Sequence, residues 1–338
     1  MNTSIIKNSS DFLFIYEAIQ CNPNGDPDQE NKPRMDYDTK TNLVTDTRVK
    51  RFIRDYLKAT SSEERVFVDM EGNSKVSVDS KLKAVVKRTV ENNGEIDRIF
   101  SSNPEHLEIY QKIIKDNKDA EGVWKVITDK NFKHKEVNYE LLAYLVKEKF
   151  IDIRMFGSAF AVGGFTKAYT GPIQLNWGYS FHEVELMDSS SIVTIMNDDN
   201  STFGKDYRVH YSLLGFNGVI NAIAAKTTGL TQADVDVFRD AIWESIPASP
   251  TRSKLNQYPK AYVEIVYNEG ISNGKFGDLR NLVDVSPKNG LPVKQVRKFL
   301  DLDVSLKRLI DLIQENRGEG KLIKDVIVKS SPEFKISL

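Results

Sequence analysis

Between residues 12 and 58 the chain passes from an apolar run, through a Gly/Pro/Asn segment, into a basic amphipathic stretch. Phe-Leu-Phe-Ile-Tyr-Glu-Ala-Ile at 12–19 is aromatic and β-branched, which predicts a buried strand. Cys21-Asn22-Pro23-Asn24-Gly25-Asp26-Pro27-Asp28 must stop that strand, because Pro and Gly break it and Asn bonds to its own backbone. The loop to Asn42 is long for a compact domain, and such loops are usually functional or disordered. Thr45 then reads as a helix N-cap with Asp46 in the first turn. At about 100° per residue counted from Arg48, Val49, Phe52, Ile53, Tyr56 and Leu57 fall between roughly 40° and 180°. Lys50, Arg51, Arg54 and Lys58 fall between roughly 200° and 300°. A strand emptying through such a loop into a helix with one cationic face can hold a phosphate chain; a solvated surface helix is the plainer alternative.

The charge balance places a limit on that idea. The formal net charge is −1, so any attraction to nucleic acid has to be local. A hydrophobic fraction of 40% over 338 residues supports a sizeable core, in about two domains or one with insertions. The single Cys21 excludes an internal disulfide framework and suits a reducing cytoplasm. The beginning of the chain does not read as a secretory signal, and no apolar run approaches the roughly 20 residues of a membrane span. A cytoplasmic protein without a membrane partner is therefore expected.

Further along, 65–69 reads as a short strand followed by a Gly72-Asn73 turn. Residues 81–144 turn helical and lysine-rich, and resemble a helical insertion of about seventy residues in a sheet domain. The Gly-rich apolar run 156–165 reads as a sheet strand with close backbone contacts, and 180–186 alternates as a half-buried strand. A protruding hairpin is expected with arms 191–196 and 207–214 and a polar tip, 197–206, that carries Phe203 and Lys205. A helix at 231–245, a strand at 262–267, a helix near 304–314 and a strand at 322–329 complete the reading.

No residue pattern argues for catalysis. Asp26, Asp28, Asp36 and Asp38 cluster near a Gly turn; oxygen-rich loops bind Ca²⁺ or Mg²⁺, but turn-making explains these residues equally well. His106, His134, His182 and His210 have no metal-ligand spacing, and Cys21 has no paired base. Neither a P-loop nor a GxGxxG fingerprint is present. No cofactor is expected.

Several stretches together resemble one family. They are Asn22 to Asp28; Pro33-Arg34-Met35-Asp36; Val44-Thr45-Asp46-Thr47-Arg48-Val49-Lys50-Arg51-Phe52-Ile53-Arg54; Arg154-Met155-Phe156-Gly157-Ser158-Ala159-Phe160; Thr170-Gly171-Pro172-Ile173-Gln174; and Phe203-Gly204-Lys205-Asp206-Tyr207-Arg208-Val209 running into Gly215-Phe216-Asn217-Gly218-Val219-Ile220. The chain thus resembles the Cas-seven-type backbone subunit, of the RAMP superfamily, that forms the filament of type I CRISPR effector (Cascade) complexes. In length and pattern it is most similar to the type I-B branch. The resemblance implies an α+β fold: an RRM-like (ferredoxin-like) antiparallel palm of residues 1–70 plus 151–338, a helical finger at 71–150, and a thumb β-hairpin at 186–214 within the palm. It implies guide RNA (crRNA), target DNA, further copies of the chain and other Cascade subunits as partners. Guide contacts are implied at Asn22, Asn24, Gly25, Arg34, Arg48, Lys50, Arg51, Arg54, Ser158, Lys167, Gln174, Phe203 and Lys205. Related type III subunits cleave RNA with a loop aspartate, so a metal-dependent ribonuclease using Asp26 and Asp28 is the alternative; type I backbones are not nucleases.

Overall fold

The structure is a computed structural model that describes residues 4–61, 65–68, 70–71, 74–75, 78–117, 119–129, 131–162, 165–187, 191–195 and 201–337. It is a mixed α+β protein with an antiparallel sheet. The chain forms two compact units, one of Met1–Ile5, Leu57–Pro172 and Ala224–Val235, the other of Ile6–Tyr56, Ile173–Ile223 and Asp236–Leu338.

The second unit is built on an eight-stranded sheet in which every described ladder is antiparallel. Its order is Ile323–Ser330, Gln257–Tyr267, Ser10–Ile19, Tyr211–Ile220, Gly178–Ser180, Thr41–Val44 and Met35–Asp36, with Ile173–Leu175 also paired to Tyr211–Ile220. Ser10–Ile19 sits between two strands and is buried on both faces, which is why its sequence runs apolar without alternation. On one face Phe12 lies 5.6 Å from Phe238 and 5.5 Å from Tyr262, and Tyr16 stacks on Phe216 at 5.8 Å. On the other, Leu13 and Ile15 join Leu213, Val263, Ile265 and the helix residues Leu309 and Ile313 in one core. Glycine is required where rings cross the sheet: a Cβ on Gly218 would run into the Phe12 ring, and one on Gly178 into the Phe216 ring.

The first unit is mostly helical. Val78–Glu91, Asn93–Ile99, Pro104–Asp116, Ala120–Ile127, Lys135–Lys149 and Ile151–Phe156 gather around Leu82, Val86, Phe100, Tyr110, Val123, Leu141, Leu145 and Phe150. The hairpin Gly157–Val162/Phe165–Thr170 follows, and Tyr169 enters the same core. Gly157 sits at φ +71, and a Cβ there would strike the Tyr169 carbonyl, so the start of the hairpin needs glycine.

Three local expectations change. Residues 65–68 form no ladder; the Asp152 carboxylate accepts from the Phe67 and Val68 N–H groups at 2.7 and 3.1 Å, which satisfies the backbone in place of a neighbouring strand. In 180–186 the strand ends at Ser180, and Leu186 makes only a single bridge to Val209. The hairpin also has different arms: Ser191–Ile195 pairs with Ser201–Lys205, inside the expected tip, with Val193 opposite Phe203. Tyr211–Ile220 instead joins the main sheet, because its residues are buried on both faces and pair along the whole of Ser10–Ile19. Residues 196–200 and the Phe203 side chain lie outside the described residues.

Candidate nucleic-acid interface

The Asn-rich loop is closed by its own side chains. Asn24 Oδ1 accepts from both the N–H and the hydroxyl of Thr45, at 2.9 Å each, which ties the loop to the start of the Asp46–Thr60 helix. Thr45 Oγ1 in turn accepts from the Arg48 N–H at 3.2 Å, the N-cap bond expected of it. Asn22 is buried; its Nδ2 donates to the Asn31 carbonyl at 2.7 Å, and its N–H donates to Ser253 O at 2.9 Å. Arg34 N–H donates to Asn24 O, and the Arg34 guanidinium lies 3.4 Å from Asp26 and over the Trp177 ring. A Cβ on Gly25 would collide with the Asn31 side chain, so this tight closure selects glycine. Two Asn, a Gly and an Arg that the sequence places in one stretch thus serve one folded turn.

The helix places its cations unequally. Lys50 is only 9% exposed and bonds Asp46 at 3.0 Å and Gln174 at 3.1 Å, so it is a buried bridge rather than part of a solvated stripe. Arg51 pairs with Asp55 one turn on, at 2.7 Å. The Arg48 guanidinium lies 3.9 Å from the centre of the Phe52 ring on the same helix, and its buried Nε–H has no hydrogen-bond partner among the described residues. Burial lowers the Arg48 pKa from its ordinary value, while Tyr16 and Asp55 act in the opposite sense.

The second unit brings Asn22, Asn24, Gly25, Arg34, Arg48, Lys50 and Gln174 together through these bonds, and Arg51 and Arg54 extend along the same helix. Lys205 of the hairpin reaches the loop as well: it bonds Glu30 at 2.8 Å, and Tyr207 donates to the same carboxylate at 2.9 Å. Lys205 holds the Glu30 carboxyl below its ordinary pKa, with help from Tyr207. Ser158 and Lys167 belong to the first unit, where Lys167 lies over the Tyr139 and Tyr169 rings at 5.3 and 5.7 Å.

Sequence reasoning missed Lys254, which donates to Asn22 O directly against the loop. It also missed a cation–aromatic surface: Arg280 lies 4.4 Å from the centre of the exposed Tyr179 ring and donates to Trp177 O at 2.8 Å. Each lies far along the chain from residues 12–58, so no local pattern marked it; the only signals were a Lys in a Thr-Arg-Ser-Lys loop and a lone Trp-Gly-Tyr.

The loop carboxylates turn inward to structure. Asp26 accepts from the Asp28 N–H at 3.2 Å, and Asp36 accepts from Asp38 N–H and the Thr39 hydroxyl at 3.0 and 2.8 Å. Among the described residues no group of three or more His, Cys, Asp and Glu gathers to hold a metal ion, and no helix is long and apolar enough to cross a membrane.

A CRISPR-associated protein Cas7 of Haloferax volcanii is 29% identical over 333 residues, which span 94% of this chain and 89% of the relative. Among solved structures, a chain titled CRISPR RNA-guided surveillance complex, pre-nicking, aligns with a TM-score of 0.46 at 11% identity over 81% of each chain. A second, titled CRISPR RNA-guided surveillance complex, aligns at 0.39 and 14% over 78% of each. The family model for CRISPR-associated protein Cas7 matches residues 8–307, and the chain belongs to that family.

Proposed function

We propose that this protein is the guide-RNA-binding backbone subunit of a type I Cascade complex. The observation that carries the reading is the Cas7 family match over residues 8–307. In this reading copies stack head to tail along crRNA, alongside other Cascade subunits in the cytoplasm, and display the guide for pairing with target DNA. The type I-B branch is the one its sequence resembles most. An RRM-like palm, a helical finger at 71–150 and a thumb at 186–214 are the working parts. The thumb wedges a guide base out of the stack through Phe203.

The chemistry supports a binder of any sequence. Such a protein contacts phosphate and sugar and leaves base reading to pairing. Arg48, Arg51 and Arg54 on one helix, beside a loop closed on Asn24 and Gly25, supply cations and backbone donors of that kind. A chain of net charge −1 has little general attraction to RNA, so the contact is concentrated here. Head-to-tail contacts that do not close give an open filament, which suits a linear ligand. We take the subunit not to be an enzyme.

Light scattering and sedimentation of the pure protein test this. Small species are expected without RNA, and species whose size tracks RNA length are expected with it; both should shrink as salt rises. Oligomers that ignore RNA and salt would overturn the proposal. RNA cleavage in Mg²⁺ that disappears in Asp26→Ala would establish the ribonuclease instead.

A further inference from the structure

Glu30 stands where its backbone does not favour it. It follows the Pro27–Gln29 turn at φ +51, in the left-handed region, and Asn31 comes next at φ +60. Glycine or asparagine suits that conformation, and glutamate adopts it at a cost. Asn31 has a structural reason to be there: its N–H donates to Asp26 O at 2.8 Å, and its carbonyl accepts from the buried Asn22. No such backbone role explains a glutamate at position 30, and strain of this kind points to a use for the side chain.

The use is at the hairpin. Lys205 Nζ, 175 residues along the chain, donates to both Glu30 oxygens at 3.0 and 2.8 Å, and the Tyr207 hydroxyl donates to Oε2 at 2.9 Å. Lys32 lies 5.0 Å from the centre of the Tyr207 ring. Lys205 ends the hairpin Ser191–Ile195/Ser201–Lys205, which among the described residues forms no ladder with the main sheet. Asp206 does not take Glu30's place, because Arg208 at 2.8 Å and Arg252 at 3.4 Å engage it. An ammonium and a phenol that close on two carboxylate oxygens are the donors that a phosphate group also takes. The Lys205 and Glu30 side chains are 54% and 57% exposed, so the pair is weak and open to exchange with a polyanion from solvent.

We propose that Glu30 is a tethered competitor of the polynucleotide. In the free subunit it occupies Lys205 and Tyr207 and holds the hairpin to the loop; a phosphate of the bound strand displaces it and releases the hairpin. The inference rests on the RNA-binding reading above, and what it adds is an internal anion that binding must displace. The apparent affinity is then the intrinsic affinity multiplied by the fraction of subunits with the latch open. An exposed pair lowers it by about two- to fivefold.

The probe is a labelled oligoadenylate bound to the full chain and read by fluorescence anisotropy at fixed salt. Glu30→Gln, which keeps the shape and removes the charge, is expected to bind about two- to fivefold more tightly than wild type. Glu30→Gly, which suits the left-handed backbone, is expected to bind as Glu30→Gln does with no fall in urea midpoint. Asp28→Asn removes the same charge from an exposed position on the same turn and is expected to leave affinity unchanged. In a Lys205→Met background the Glu30→Gln gain is expected to vanish, because the ammonium that Glu30 occupies is gone. Hydrogen exchange of the Ser201–Lys205 amides in RNA-free protein is expected to quicken in Glu30→Gln. Equal tightening by Asp28→Asn, or a gain that survives Lys205→Met, assigns the effect to net charge and overturns the latch. Unchanged affinity or unchanged exchange in Glu30→Gln, with wild type binding, overturns the latch and leaves the RNA reading standing. A wild type that binds no oligoadenylate overturns both.

Discussion

Arg154 belongs to a family-like motif beside Ser158, yet it is fully committed inside the first unit, and removing it should weaken that unit sharply. Its Nε and Nη2 donate to the two Asp234 oxygens at 2.9 and 2.8 Å, and Nη1 donates to the Lys147 and Glu148 carbonyls at 2.6 and 3.0 Å. Asp234 also closes a reciprocal cap on Thr231: its carboxylate accepts from the Thr231 N–H and hydroxyl, and its N–H donates to Thr231 Oγ1. The side chains are 18% and 7% exposed, so the pair is largely desolvated. Breaking such a pair from one side costs about 3–5 kcal/mol, because the remaining charge stays buried; the partial exposure of Arg154 argues for the lower end, about 3 kcal/mol. At an m value of about 2 kcal/mol/M, Arg154→Met should lower the urea midpoint by about 1.5 M. Burial acts to raise the Asp234 pKa, but Arg154 and Thr231 overcome it and hold the carboxyl below its ordinary value. The folded state thus binds the proton less readily than the unfolded chain. The pair's stabilisation is present in full above the unfolded value of about 3.9 and is lost as pH falls below it. The deficit of Arg154→Met should therefore narrow at about pH 3. Arg154→Met with a wild-type midpoint at neutral pH, or with a deficit unchanged in acid, would refute the reasoning.

Other outcomes follow from the packing. Lys260 bridges buried Glu17 at 2.7 Å and half-exposed Glu333 at 2.6 Å, so Lys260→Met should cost about 3 kcal/mol, and Glu333→Gln under about 1 kcal/mol, in urea titrations; equal losses would contradict this. Gly218→Ala should cost about 1–3 kcal/mol by pushing into the Phe12 ring; a neutral result would mean the strand can shift. Gly25→Ala should leave the urea midpoint close to wild type but weaken oligoadenylate binding, because the displaced Asn31 no longer holds Asn22 in place. Undiminished binding would separate the loop closure from the contact. Arg51→Ala with Arg54→Ala should flatten the salt slope by about 1 to 1.5, and an unchanged slope would remove this part of the helix from the RNA contact.

Local chemistry by itself determined the elements that do not depend on distant partners. The 12–19 run reads as a buried strand, and Thr45 as the cap of the helix that follows, from neighbouring side chains alone, and both form so. The helical texture of 81–144 was equally legible from its period. What the cations do was not. Period and charge drew Lys50, Arg51, Arg54 and Lys58 as one stripe, whereas tertiary packing buried Lys50 on Asp46 and Gln174 and left the Arg48 Nε–H without a hydrogen-bond partner among the described residues. The hairpin was misdrawn for a related reason: 207–214 and 201–205 are both plausible arms locally. Only the long pairing of Tyr211–Ile220 with Ser10–Ile19 assigned the later stretch to the sheet. Lys254 reaches Asn22 across 232 residues of chain, a meeting that no pattern in a local window encodes. A side chain's partner depends on which segments fold against it, so burial and charge pairing were settled by the tertiary structure, while strand, cap and period were already written in the chain.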